Sequence, residues 1–250
     1  KDLRLLEEDS ASLNHKNNNY KGKYLQISVI SLPRLSNNTD FKSLALEPDV
    51  FINYVKTPEE LDNSDMIIIP GTKSTTSDLQ YLKKSGFAVE IKELARKKIP
   101  VIGICGGYQM MGDLLIDKYN SEGEIREIRG LGLLPVETHF SPQKTTHQVK
   151  AEITGDNYLF SQLKSEVISG YEIHMGDTRY KNVSDSLFSI IERSGESVKI
   201  DDGALGIDGC SFGTYIHGIF NNDNFRRSLL DQLRKRKGLQ PIVRDNYSYK

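Results

Sequence analysis

The chain is 250 residues long, 37% hydrophobic and 27% charged, a globular composition with enough apolar material for one substantial core. Its formal net charge is -1 and its basic residues are dispersed, which excludes the electrostatic footprint of a nucleic-acid or bilayer-surface binder and leaves small-molecule chemistry. Two cysteines cannot build a disulfide framework, no window approaches the roughly 18 uninterrupted apolar residues of a membrane helix, and the opening KDLRLLEEDS lacks the apolar core of a signal peptide. The expectation is a soluble, cytoplasmic protein.

Residues 1–23 are polar and contain NHKNNNYKGK, which reads as a flexible connector. With a first residue, Lys1, that is not methionine, they are expected to be the linker or tail of a preceding domain, and residues 24–250 the domain proper. YLQISVI and VFINYV are short β-rich runs, and MIII before Pro70 is apolar enough for a strand buried on both faces. Between Ser77 and Lys98 the spacing of Leu79, Leu82, Val89, Leu94 and Ala95 predicts one or two helices broken near Gly86. After Pro100, VIGIC reads as another apolar strand, and YQMMGDLL opens a helix with one apolar face. Strand, helix, strand, helix is the pattern of an α/β fold, a mostly parallel open sheet flanked by helices. In the second half LGLLPVETHF, VISGYEIH, LFSIIE, GALGI and FGTYIH are strand candidates, some of them expected to be antiparallel. A last helix is expected from Phe225 to Lys237, with Phe225, Leu229, Leu230 and Leu233 on one stripe and Gly238 and Pro241 ending it.

Gly103-Ile104-Cys105-Gly106-Gly107-Tyr108-Gln109 falls where an apolar strand turns into a helix. A nucleophile at such a bend sits in a strained backbone, and glycines on either side remove side chains that would collide with neighbouring strands. A helix N-terminus favours the reactive thiolate, and the Gly106 N–H points into the same space to stabilise an oxyanion. Acyl transfer also needs a base. Of five histidines, His217 at the end of FGTYIH is the best placed, at a strand end where α/β sites gather. His174 in GYEIHMGD competes and is only weakly disfavoured; His15, His139 and His147 are weaker candidates. Pro70-Gly71-Thr72-Lys73-Ser74-Thr75-Thr76 follows a strand and precedes a helix, so the Gly71 N–H is a candidate second oxyanion donor. The segment lacks the GxxxxGK[ST] spacing of a phosphate loop, and Lys73 reads as solvated.

Gly103, Cys105, Gly107 and Gln109 match the nucleophile motif G-x-C-x-G-x-Q, and the chain resembles the class I, or triad-type, glutamine amidotransferases. PGTKST, GICGGYQMMG, GLLPVETHF, GYEIHMGDT and GTYIHGIFNND, in this order, are similar to the C-terminal domain of the cobyric acid synthase family, and DLRLLEEDSASL to the segment that ends that family's ATP-dependent synthetase domain. The resemblance implies that Cys105 attacks the glutamine γ-carboxamide to give a thioester and ammonia, with His217 as general base. It further implies that Gly71 and Gly106 form the oxyanion hole and that Gln109 helps hold glutamine. Class members commonly carry glutamate two residues after the histidine, where this chain has Ile219. A Cys–His dyad is therefore expected, His217 being oriented by a backbone carbonyl or another residue, with Asp177 and Glu172 as candidate substitutes. The implied partners are glutamine, an N-terminal synthetase domain and, through it, a corrinoid acceptor. ATP and magnesium belong to that domain, and no metal or cofactor to this one. Rival readings are an amidotransferase for cobyrinic acid or a peptidoglycan precursor, and a catalytically weak regulatory module of the same fold.

Overall fold

A computed structural model describes residues 24–155, 158–160, 162–181 and 186–242; the connector expected over 1–23 lies outside the described residues. The first half contains β1 (Leu25–Ile30), α1 (Lys42–Ala45), β2 (Val50–Val55), β3 (Met66–Ile69), α2 (Thr75–Lys84), α3 (Phe87–Arg96), β4 (Val101–Ile104) and α4 (Gly106–Met111). There follow β5 (Leu114–Ile116), β6 (Glu127–Arg129), β7 (Val136–Ile153), β8 (Val167–Tyr180), β9 (Ser186–Arg193), β10 (Glu196–Leu205), β11 (Phe212–Thr214), β12 (Ile216–His217) and α5 (Asp223–Arg236). The strands form one mixed sheet in the order β12-β8-β7-β9-β10-β11-β4-β3-β1-β2, with β5 and β6 joined to it at β7. The block from β2 to β11 is parallel. From β10 to β12 along this order the pairing is antiparallel, as expected for some strands of the second half, while β5 joins β7 in parallel. No helix among the described residues is long and apolar enough to cross a membrane.

Alternation along the central strands sorts the core into two layers. Met66 and Ile68 of β3 join Leu25, Ile27 and Val29 on the face that α5 covers with Phe225, Leu229, Leu230 and Leu233. Ile67 and Ile69 join Val101 on the other face, beneath Leu79, Leu82, Phe87 and Ile91 of α2 and α3. Helices on both faces leave every side chain of MIII in apolar surroundings, which is why that run shows no polar alternation. The break between α2 and α3 falls at Gly86, whose φ of 91° suits glycine. Two buried arginines of α5 tie down the turn between α1 and β2: Arg226 donates to Glu47 at 2.9 Å, and Arg234 to Asp49 at 2.6 and 2.8 Å.

Two elements differ from expectation. The helix opened by YQMMGDLL is only α4, buried on all sides. It stops at Gly112 because the Asp113 N–H donates to the Val136 carbonyl at 2.8 Å, drawing the following residues into β5. FGTYIH is two strands: β11 pairs with β4 and β12 with β8, so the chain crosses at Tyr215 from the parallel block to the antiparallel edge.

α4 lies almost in contact with the strands beneath it. A Cβ on Gly107 would stand 1.9 Å from the Ile69 carbonyl oxygen, one on Gly103 2.6 Å from Met111 Sδ, and one on Gly213 2.3 Å from the Tyr108 ring. Because Ile69 offers backbone rather than a movable side chain, Gly107→Ala is expected to destabilise the fold by about 3 kcal/mol, the upper end of overpacking costs. Urea unfolding together with thiol accessibility at Cys105 measures it. An unchanged midpoint and unchanged Cys105 reactivity would show that α4 has room to move.

Candidate active site

β4 delivers Cys105 to the C-terminal edge of the parallel block, and α4 starts at the next residue. The backbone there has φ 53° and ψ −111°, a conformation that an L-residue adopts only under constraint. Hydrogen bonds hold it: the Cys105 N–H donates to the Thr214 carbonyl at 2.9 Å, and its own carbonyl accepts from the Gln109 N–H at 3.1 Å. The result is the strand-to-helix elbow expected from the glycines, with Cys105 9% exposed.

Gly71, at the end of β3, lies beside it. A Cβ built on Gly71 would be 3.7 Å from Cys105 Cβ and 3.4 Å from His217 Cε1, so this glycine borders both side chains. Gly106 faces the same loop, its hypothetical Cβ 2.7 Å from Thr72 Cγ2. Lys73 is exposed.

His217 ends β12 and is buried. Its Nδ1–H donates to Asp40 Oδ2 at 2.7 Å, and the Gly218 N–H donates to Asp40 Oδ1 at 3.0 Å, so both oxygens of one carboxylate face the histidine turn. Burial alone would lower the basicity of the imidazole. Hydrogen bonds to Asp40 and Cys105, and the negative charge of both, outweigh it and raise the pKa to about 10. Cys105 Sγ also lies 3.2 Å from the Ile173 carbonyl oxygen, to which a protonated thiol donates. Cys105, His217 and Asp40 thus form a linked chain of thiol, imidazole and carboxylate, an arrangement chemically suited to a nucleophile, a base and an orienting acid.

The residue that meets His217 Nδ1 is Asp40, which the sequence did not single out, and neither named candidate, Asp177 or Glu172, stands there. Asp177 is an exposed residue paired with Arg179 at 2.8 Å. Glu172 is buried against Arg193 at 2.6 Å and His174 at 3.5 Å. Nothing in the local pattern around SNNTDFKSL marks Asp40. The available signal was positional: a carboxylate in the loop after β1, at the sheet edge where α/β sites collect.

The other sequence candidates separate. His174 is engaged within β8, Nε2 facing Glu172 and Nδ1 donating to the Gly176 carbonyl at 3.2 Å, with its ring stacked on Tyr215 at 3.8 Å. His139 and His147 lie on β7, and His15 falls outside the described residues. Gln109 is close to the site but its amide is occupied. Oε1 accepts from Thr75 Oγ1 at 3.0 Å, and Nε2 donates to the Met175 carbonyl at 2.9 Å and to Tyr215 Oη at 3.0 Å.

Residues 26–225 match the family described as CobB/CobQ-like glutamine amidotransferase domain. The cobyric acid synthase of Pelotomaculum thermopropionicum is 46% identical over 237 residues, 95% of this chain and 45% of that protein. That of Desulforamulus reducens is 43% identical over 237 residues, 95% of this chain and 46% of its own length. That of Klebsiella pneumoniae (strain 342) is 42% identical over 250 residues, 96% and 47%. The chain spans about half the length of the curated relatives it matches. Among solved structures, PurLQS from Thermotoga maritima superposes with a TM-score of 0.65 at 19% identity, covering 84% of this chain and 99% of that one. A glutamine amidotransferase from Thermotoga maritima gives 0.53 at 15% identity, covering 87% of each chain. These two likenesses concern the fold. On the family match and the identity to the synthases, the chain belongs to the CobB/CobQ-like glutamine amidotransferase domains.

Proposed function

We propose that the chain is the glutaminase half of a cobyric acid synthase. It hydrolyses the side-chain amide of glutamine and supplies ammonia to a synthetase half, which uses ATP and magnesium to amidate corrin-ring carboxylates in cobalamin biosynthesis. The observation that carries the chemistry is the convergence of Cys105, His217 and Asp40 at the strand ends. The acceptor is supported by identity to cobyric acid synthases along 95% of the chain. The two free cysteines, both buried, suit the reducing cytoplasm, where we place the protein.

In this reading the Cys105 thiolate attacks the γ-carboxamide carbon, and the Gly71 and Gly106 N–H groups receive the developing oxyanion. The His217 imidazolium gives its proton to the departing nitrogen, ammonia leaves, and a Cys105 thioester remains. Neutral His217 then takes a proton from water, the resulting hydroxide attacks the thioester, and glutamate leaves with the thiolate restored. Asp40 keeps the proton of the Nδ1 side fixed throughout, so that Nε2 is the nitrogen that exchanges protons. With its amide bonded to Thr75, Met175 and Tyr215, Gln109 is assigned to hold β8 against α2 rather than to bind glutamine directly.

Cys105→Ser is expected to abolish glutamate release and labelling by a glutamine-mimicking electrophile. Asp40→Asn should cost about 10² to 10⁴-fold in rate, the range of a positioned acid–base group. His217 titrates at about 10 in the fold against an ordinary 6.5. Its charged form therefore stabilises the protein fully below pH 6.5, and that contribution disappears as the pH rises through about 10. Asp40→Asn should flatten the pH dependence of unfolding free energy across this window, and wild-type slope in the mutant would remove Asp40 from the site. A second expectation concerns coupling. The 250-residue chain alone should release glutamate slowly, and faster when the synthetase half, ATP and acceptor are added. Equal rates under all conditions would separate the two activities.

A further inference from the structure

We propose that Tyr171 and Asn37 are positioning residues for His217, a ring face and an amide that act with Asp40 to fix the plane of the imidazole beside Cys105. The inference rests on the reading of His217 as the acid and base.

A hydrogen bond from Nδ1 to Asp40 holds one point of the ring, at 2.7 Å. Rotation about the Cβ–Cγ bond is soft for histidine, so one anchored atom does not by itself fix where Nε2 points. The Tyr171 ring closes one side of that freedom, lying nearly parallel to the imidazole at 12° with centroids 5.1 Å apart. The contact is built into the sheet, because Tyr171 is the residue directly opposite His217 in the pairing of β8 with β12.

Asn37 secures Tyr171 in turn. It stands in the left-handed region at φ 59° and ψ 62°, which asparagine tolerates better than most residues. Its Oδ1 accepts from Thr39 Oγ1 at 2.7 Å, and this fixes which end of the amide faces the site. Nδ2 then donates to Tyr171 Oη and lies 3.5 Å from Asp40 Oδ1 and 3.1 Å from His217 Nδ1. Since Nδ1 carries the proton given to Asp40, it cannot also accept from the amide. Asn37 therefore links the tyrosine hydroxyl to the carboxylate around the edge of the imidazole. Burial raises the Tyr171 pKa, so the phenol remains neutral and able to accept. Two residues further along β8 the Ile173 carbonyl meets Cys105 Sγ at 3.2 Å. One strand thus contacts both the nucleophile and its base.

The test is a mutant cycle on the 250-residue chain. It is read as glutamate release per titratable Cys105 and as the pH profile of Cys105 alkylation by iodoacetamide, which needs no turnover. Tyr171→Phe keeps the stack, Tyr171→Leu removes it, and Asn37→Gly removes the amide while allowing the left-handed backbone. Tyr171→Leu is expected to lower kcat on the order of 10²-fold with KM unchanged, the cost of misplacing a reacting group by about 1 Å. Asn37→Gly and Tyr171→Phe should lose less, about 10-fold. In the leucine variant the alkaline limb of the alkylation profile should fall below its wild-type position, while phenylalanine should preserve most of it. In a His217→Ala background, Tyr171→Leu should cause no further loss. Unchanged kcat and unchanged profile per reactive thiol, or the full loss persisting without His217, would overturn the proposal. A loss seen only as fewer folded molecules would also overturn it, making Tyr171 structural. Wild-type rates in His217→Ala would instead bring down the functional reading beneath it.

Discussion

Cys105 is held at φ 53° with a side chain in place, in a backbone region that costs a non-glycine residue on the order of 1–3 kcal/mol. That conformation survives because everything around it is over-determined. β4 is buried on both faces, α4 is buried along its whole length, and Gly107 rides on the Ile69 carbonyl with no space for a methyl group. The thiol is consequently aimed outward from a rigid platform, between the ends of β3 and β11. The other site residues come to it. Gly71 arrives at the end of β3, His217 after the crossing at Tyr215, and Asp40 from the loop after β1.

The position of Ile219 explains why the carboxylate that meets His217 comes from so far away. Gly218 takes φ 74°, and this turn directs the following residues into the core, where Ile219 and Phe220 are 1% and 0% exposed. A carboxylate at 219 would be buried among apolar side chains with its charge uncompensated. Asp40 reaches Nδ1 from the opposite side and receives the Gly218 N–H with its second oxygen, so the turn that excludes a local carboxylate also helps bind the distant one. The loop carrying Asp40 is anchored by Phe41 and Leu44 in the core and by the ion pairs of Arg226 and Arg234 beyond it.

What the sequence made legible was local. Strands β1 to β4, the helix break at Gly86, the elbow and the stripe on α5 follow from periodicity and glycine placement within a few residues. Asp40 was not legible, since it lies 177 positions from His217 and only the sheet order brings the two together. The same is true of Tyr171, whose place beside His217 depends on the pairing of β12 with β8. Gln109 shows the limit of motif spacing. One turn after the nucleophile fixes its neighbourhood, but the direction of its amide was decided by Thr75, Met175 and Tyr215, residues from three separate segments. The length of α4 was overestimated for a related reason: it stops at Gly112 because the Asp113 N–H bonds to β7, a contact that no local pattern announces.

The charge balance of the site bears on the order of proton transfers in the proposed reaction. His217 titrates at about 10 because Asp40 and Cys105 together outweigh its burial. At neutral pH the imidazole therefore carries its proton before glutamine arrives. Forming the carbon–sulfur bond consumes the thiolate charge, and with it the two contributions that Cys105 makes to the raised value. Asp40 alone then supports the imidazolium, whose acidity increases at the step in which a proton must pass to the leaving nitrogen. When hydrolysis releases the thiolate again, the support returns and the proton taken from water is held on His217. In the proposed cycle Asp40 thus keeps the ring oriented throughout, while Cys105 modulates how tightly the proton is held.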